Sequence, residues 1–175
     1  GYLEKEWEEN GRKYFHYTMD SKILNFAAWL SADYEKIEDE WNGIKLAVYY
    51  HKGHDYNVQD MMKSMKMSLE YYSKNFTPFQ FKQLRIFEFP RFSSFAQSFP
   101  NMIPFSESIG FIANVEDEDV NYPFWVTAHE TAHQWWAHQV IGANVEGATV
   151  TSEILCQYSS LKVIEQEFGI EKVRD

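Results

Sequence analysis

Between Asn57 and Thr77, apolar side chains return every three or four residues: Val58, Met61, Met65, Leu69, Tyr72 and Phe76. That interval lines them along one face of an α-helix, predicted to run from an Asn57 N-cap, with Asp60 in the capping-box position, to Thr77-Pro78. Upstream the pattern is that of strands. YFHYT (14–18), ILNFAAWLSADYEKI (23–37) and IKLAVYYH (44–51) are rich in aromatic and β-branched residues, and Asn42-Gly43 has the form of a tight hairpin turn. The opening GYLEKEWEENGR is so heavily charged that it reads as a solvated lead-in. LRIFEF (84–89) is a further strand stopped by Pro90, and 90–108, with three prolines and several serines, reads as a long irregular segment. GFIANV (110–115) predicts a short strand and EDED (116–119) a solvated turn. Two helices close the chain. One starts near Asn121, with Pro123 in its first turn. The other runs from about Thr151 to Phe168, with Ile154, Leu155, Tyr158, Leu161 and Ile164 as its apolar face and Gly169 at its end. Gly142 and Gly147 bracket the connection between them.

Composition narrows the class. With 175 residues the chain fits one domain, or one domain and part of another, and 14 Phe, 11 Tyr and 6 Trp favour a packed core over disorder. A net charge of −10 excludes nucleic acid as a natural partner and suits a substrate bearing positive charge, such as a free amino terminus. Cys156 is the only cysteine, so there is no internal disulfide and no thiolate cluster for a metal. No apolar run approaches the roughly 18 residues that span a bilayer. A first residue of Gly1 rather than Met predicts an excised piece of a longer protein.

The chemistry concentrates in VTAHETAHQWW, residues 126–136. Residues four apart on a helix sit one turn above each other, so His129 and His133 point the same way and can share one zinc ion. Glu130 is placed to act as general base without being a ligand, the HExxH arrangement. Trp125, Ala128, Ala132, Trp135 and Trp136 predict a buried helix, and burying these polar groups unpaired would cost about 1–3 kcal/mol each. A catalytic zinc takes a third protein ligand. His138 is turned about 140° around the helix from His133 and falls outside the site. Glu153, in the first turn of the next helix, is the candidate that closes it, and Glu146, inside the glycine-bracketed loop, is its rival. His51 and His54 read as a strand-end turn, His16 as a sheet residue, and the methionines of the 57–77 helix as core.

HETAHQWWAHQV resembles the zinc helix of the gluzincin aminopeptidases, the family of the membrane alanyl aminopeptidases and leukotriene hydrolase. TSEILCQYSS looks like that family's second zinc helix, and IPFSESIGFI resembles its substrate-amine motif, with Glu107 on the motif's glutamate and Gly110 on its final glycine. The chain departs from the pattern at Pro104 and Ser108, where the motif has glycine and asparagine. Nineteen residues lie between His133 and Glu153, one more than the family's usual interval. More weakly, the resemblance covers the whole chain: residues 1–43 would end a preceding β-rich region, and 44–175 would be the start of the catalytic domain. It is nearest to bacterial members whose peptidase domain follows a membrane region, which implies a membrane-anchored parent.

The resulting expectation is an α+β, thermolysin-like zinc peptidase fragment, a mixed sheet followed by zinc-binding helices. One zinc ion is held by His129, His133 and Glu153, with Glu130 as base. By resemblance, Glu107 binds the ammonium of a peptide with a free amino terminus. The family's transition-state tyrosine would lie beyond Asp175, so the isolated piece is expected to turn over poorly. Two other readings stay open: an endopeptidase with the same zinc site, and a non-catalytic zinc-containing peptide-binding module.

Overall fold

Two Asn-Gly turns start the fold in the computed structural model, which describes residues 1–116 and 120–174. Asn10 and Gly11 (φ 52° and 72°) and Asn42 and Gly43 (φ 48° and 81°) all take left-handed backbone, the requirement of the two-residue turn that matches strand twist. The first turn joins β1 (Tyr2–Glu9) to β2 (Arg12–Thr18) in a separate antiparallel pair. The charged opening is therefore a strand and not a lead-in. Most of both strands is exposed, so its charges stay in water while Trp7 stacks on its cross-strand partner Tyr14 at 5.1 Å. Residues 117–119 of the predicted EDED turn lie outside the described residues.

The second turn joins β3 (Glu35–Trp41) to β4 (Ile44–Tyr50), the antiparallel half of a four-stranded mixed sheet ordered β3-β4-β5-β6. This sheet draws on both sides of the expected boundary at 43/44. The predicted strand over 23–37 contracts to its last residues. Residues 23–34 carry no strand, and Ile23, Leu24, Phe26 and Trp29 stay exposed, because β4 offers a ladder only to Glu35–Trp41.

Helix α1 (Val58–Asn75) crosses from β4 to the parallel strand β5 (Gln83–Phe89). The predicted face is the buried one. Met61, Met65, Leu69 and Tyr72 are fully buried in one core cluster with Leu46, Val48, Leu84, Ile86 and Ile103. Its N-terminus differs from expectation. Asn57 does not cap with its side chain; its Nδ2 donates to the carbonyls of Gly110 (2.7 Å) and Ala113 (2.8 Å). Asp60 accepts from Asn121 Nδ2 at 2.8 Å instead of closing a capping box. Tertiary partners outcompete the local cap at both residues.

The segment 90–108 is more regular than its prolines suggest. Met102–Ser106 forms β6, parallel to β5 and mostly buried. Pro104 fits because β6 is the outermost strand of the sheet, where a missing N–H is tolerated. Residues 95–99 fold back along it, Gln97 N–H donating to the Pro104 carbonyl and Ser106 N–H to that of Phe95, both at 3.0 Å. The strand expected at 110–115 is instead a turn, held by the Asn57 amide and by Ile112 N–H on the Glu107 carbonyl. Gly110 is packed so tightly there that a Cβ would lie 2.5 Å from Met61 Cε and 2.7 Å from the Phe105 ring. Both neighbours are fully buried. Gly110→Ala is expected to destabilise the fold by about 1–3 kcal/mol through overpacking, read as a lower denaturant midpoint at unchanged slope.

Helix α2 (Tyr122–Ala132) starts as predicted: Asn121 Oδ1 accepts from Phe124 N–H at 3.0 Å, with Pro123 in the first turn. The last helix begins with a π-helical turn, Val150–Ile154, in which Leu155 N–H reaches back five residues to the Val150 carbonyl, and continues as α3 (Leu155–Phe168). Gly169 follows with φ 90°, and a short α4 (Glu171–Arg174) ends the described chain. The buried face of α3 shares only Ile164 with the predicted one. Cys156, Ser159, Ser160, Val163 and Ile164 turn inward, whereas Ile154 and Tyr158 are more than half exposed. The wide turn shifts the phase of the helix, and two indoles need acceptors: Trp125 Nε1 donates to Ser160 Oγ (3.1 Å) and Trp136 Nε1 to Ser159 Oγ (3.0 Å). The protein is thus α+β, a mixed sheet with helices packed on it. No helix among the described residues is long and apolar enough to cross a membrane.

Candidate metal centre

His129 sits in the last turn of α2 and His133 caps it with helical φ and ψ, so the two imidazoles lie along one face, edge to face, with ring centroids 4.9 Å apart. The π-helical turn brings Glu153 over them. Its Oε2 lies 3.4 Å from His129 Nε2 and 3.5 Å from His133 Nε2. Ligands on a tetrahedral metal with bonds of 2.0–2.1 Å stand about 3.3–3.4 Å apart. Glu153 Oε2 therefore stands from each imidazole nitrogen at the distance that two ligands of such a metal keep.

Tautomer chemistry strengthens the fit. His133 Nδ1 lies 3.2 Å from the Trp136 carbonyl oxygen, which can only accept and so favours the tautomer with the proton on Nδ1. Its Nε2 then directs a lone pair at the Glu153 carboxylate. Two electron-rich atoms facing each other call for a cation between them. Burial, and then the neighbouring His133, hold His129 below the usual histidine range, against an opposing pull from Glu153, which favours the neutral ligand form. Its Nδ1 is buried with no hydrogen-bond partner among the described residues.

Glu130 belongs to the same group, one of its oxygens lying within 4.8 Å of the ligand nitrogens of His129 and His133. It is nearly buried, and Oε2 has no partner among the described residues. Burial first, then the Glu153 charge, push it up to about 8, with a backbone hydrogen bond from Ser98 opposing. The expectation for His138 agrees with its position. Its Nε2 lies 3.3 Å from the Ser98 carbonyl, and burial holds it down at about 4. Glu146 is exposed in its loop. His16 is on β2, as read, facing Glu4 at 3.5 Å.

Glu107 lies elsewhere. It follows β6, and its Oε1 accepts from Arg91 N–H at 3.1 Å, with Arg91 Nε at 3.7 Å. Its Oε2 is 3.9 Å from His54 Nδ1, which in turn is 2.5 Å from Oε1 of the fully buried Glu88. His51 N–H holds the other Glu88 oxygen at 2.6 Å. His51 and His54 do form the strand-end turn, His54 N–H bonding the His51 carbonyl, but the sequence reading missed that His54 joins two carboxylates there. These groups collect at the C-terminal ends of the parallel strands β4, β5 and β6, the usual ligand-facing edge of such a sheet. The one available signal was a lone acid, Glu88, in an apolar strand.

No family model matches the chain. A leucyl aminopeptidase of Saccharolobus solfataricus is 28% identical over 141 residues, which are 78% of this chain and 18% of that protein. The crystal structure of Legionella pneumophila aminopeptidase A in complex with aspartic acid superposes with a TM-score of 0.68 at 15% identity, over 81% of this chain and 18% of that one. At that identity the likeness shows the fold alone. The chain spans about a fifth of the length of these proteins. These findings correct the family read from the sequence. The relatives bear the names leucyl aminopeptidase and aminopeptidase A, and the assignment to the gluzincin family of membrane alanyl aminopeptidases and leukotriene hydrolase is withdrawn.

Proposed function

We propose that this chain carries the metal centre of an aminopeptidase. The observation that supports it most is Glu153 Oε2 standing 3.4 and 3.5 Å from the Nε2 atoms of His129 and His133, with a buried carboxylate, Glu130, beside the two histidines. The leucyl aminopeptidase relative points the same way. We read the cation as a single zinc ion, because two imidazole nitrogens and one carboxylate oxygen are a zinc donor set. Bound there, zinc would polarise a scissile carbonyl and lower the pKa of a water molecule. Glu130 would take a proton from that water at a carboxylate oxygen and return it to the leaving amine. The sequence of mixed sheet, then two ligand-bearing helices, supports a thermolysin-like arrangement.

Glu107, with Glu88 behind it, supplies negative charge at the sheet edge, and we assign it to the ammonium of a peptide's first residue. Arg91 and His54 already flank Glu107, so the substrate ammonium must displace or share these contacts. Glu107→Gln is expected to lower kcat/KM for aminoacyl arylamides by roughly 10- to 150-fold, the worth of one hydrogen bond to a charged group. Zinc content should not change. The assay belongs in the complete natural polypeptide that carries these residues. Equal, undiminished cleavage of free and N-blocked peptides by the variant would instead identify an endopeptidase.

A further inference from the structure

Cys156 is fully buried on the inner face of α3 and meets His133 from the side opposite the metal centre. Its Sγ lies 3.2 Å from His133 Nδ1 and 3.7 Å from the Trp136 carbonyl oxygen, itself 3.2 Å from that Nδ1. The three groups form a closed triangle. The carbonyl has only lone pairs, so it favours Nδ1–H but at 3.2 Å does not fix that tautomer alone. With the thiol hydrogen turned to the same carbonyl, the sulfur lone pairs face Nδ1–H and share it.

The Trp136 carbonyl is itself held from two directions. Ala137 has φ 150°, a value L residues rarely adopt, and this torsion sets the peptide plane that carries the carbonyl. The Trp136 indole is bonded to Ser159, one turn beyond Cys156 on the same helix. Thus α3 grips the segment after His133 at two points, while its preceding turn supplies Glu153. His129, by contrast, has no partner at Nδ1 among the described residues.

We propose that Cys156 is a positioning residue for the metal centre: with the Trp136 carbonyl it holds His133 in the Nδ1–H tautomer, so that the Nε2 lone pair faces Glu153 and the ion. The thiol itself is no ligand, because it touches the nitrogen that points away from the site. This rests on the metal reading above and deepens it, adding a residue that neither the motif nor the ligand set would name. Ligand histidines are commonly oriented by a carboxylate or a carbonyl, and loss of such a partner weakens metal binding about 10- to 100-fold. Because the Trp136 carbonyl remains when sulfur is removed, the lower figure applies.

Two measurements on the 175-residue chain test it, in the wild type, Cys156→Ala, Cys156→Ser and, as a packing control on the same helix, Val163→Ala. Long-range ¹H–¹⁵N correlation of histidine side chains in metal-free protein reads the His133 tautomer, and competition with a chromophoric chelator reads zinc affinity. The expected result is a single Nδ1–H tautomer in the wild type. Cys156→Ala mixes tautomers and weakens zinc about tenfold, Cys156→Ser restores both, and Val163→Ala changes neither. An unaltered tautomer and affinity in Cys156→Ala would overturn the proposal. So would failure of serine to rescue, or an equal loss in Val163→Ala. If the wild type takes up no zinc, the metal reading fails, and the tautomer measurement still decides whether Cys156 orients His133.

Discussion

His133→Ala is expected to weaken zinc binding by more than about a hundredfold. A protein site of four ligands binds zinc with apparent energies of about 10–16 kcal/mol, so each ligand carries on the order of 3 kcal/mol. His133 contributes more than a lone pair. Its ring also occupies the contact with Trp136 and Cys156, and its removal leaves a carbonyl and a thiol facing a void beside the two remaining ligands. Chelator competition would measure the loss. His138→Ala, five residues on, is the control: its imidazole bonds the Ser98 carbonyl away from the ligand atoms, and zinc affinity should stay within about twofold of wild type, within the usual scatter of such effects. Stoichiometric, tight zinc in His133→Ala would show that the metal sits elsewhere.

Glu130→Gln should separate metal binding from catalysis. The substitution preserves shape in a nearly buried position but removes the basic oxygen, Oε2, for which the described structure shows no partner. Positioned general bases contribute typically 10²–10⁴ in rate. A fall of kcat in that range is expected in the complete natural polypeptide, with zinc affinity within a few-fold of wild type. The elevated proton affinity of Glu130 belongs to the site as it stands, where burial and then the Glu153 charge raise it against the Ser98 backbone hydrogen bond. A cation at the histidines would oppose both raising influences, favour the carboxylate, and so keep the base available. Loss of zinc in parallel with activity would make Glu130 a ligand instead.

Much of this could be read from local patterns. The period of Val58, Met61, Met65, Leu69 and Tyr72 identified the buried face of α1, because every element of a helix face is decided within a few turns. Asn121 and Pro123 marked the start of α2, and Asn42-Gly43 the hairpin. Asn10-Gly11 carried the same signal, but the density of charge around it obscured a strand whose faces are both wet. The two histidines and Glu130 were legible for the same local reason, one helical turn placing them together.

What local pattern could not decide was settled by partners distant in sequence. Pro104 lies in a strand because β6 is the outermost of its sheet, and Asn57 abandons its helix to bind the 110–113 turn. The inner face of α3 follows from a π-helical turn and two tryptophans seeking hydroxyls, not from its own apolar period. His54 meets Glu88 across 34 residues, and Cys156 meets His133 across 23. By itself the chain determined its three long helices, the strands β2, β4 and β5 and which turn would carry paired imidazoles, since those follow from backbone geometry and solvation within a few residues. Strand order, the edge position of β6, the second carboxylate cluster and the group behind His133 were decided only by the packed tertiary structure. Each depends on burying one segment against another, and no short-range periodicity records that choice.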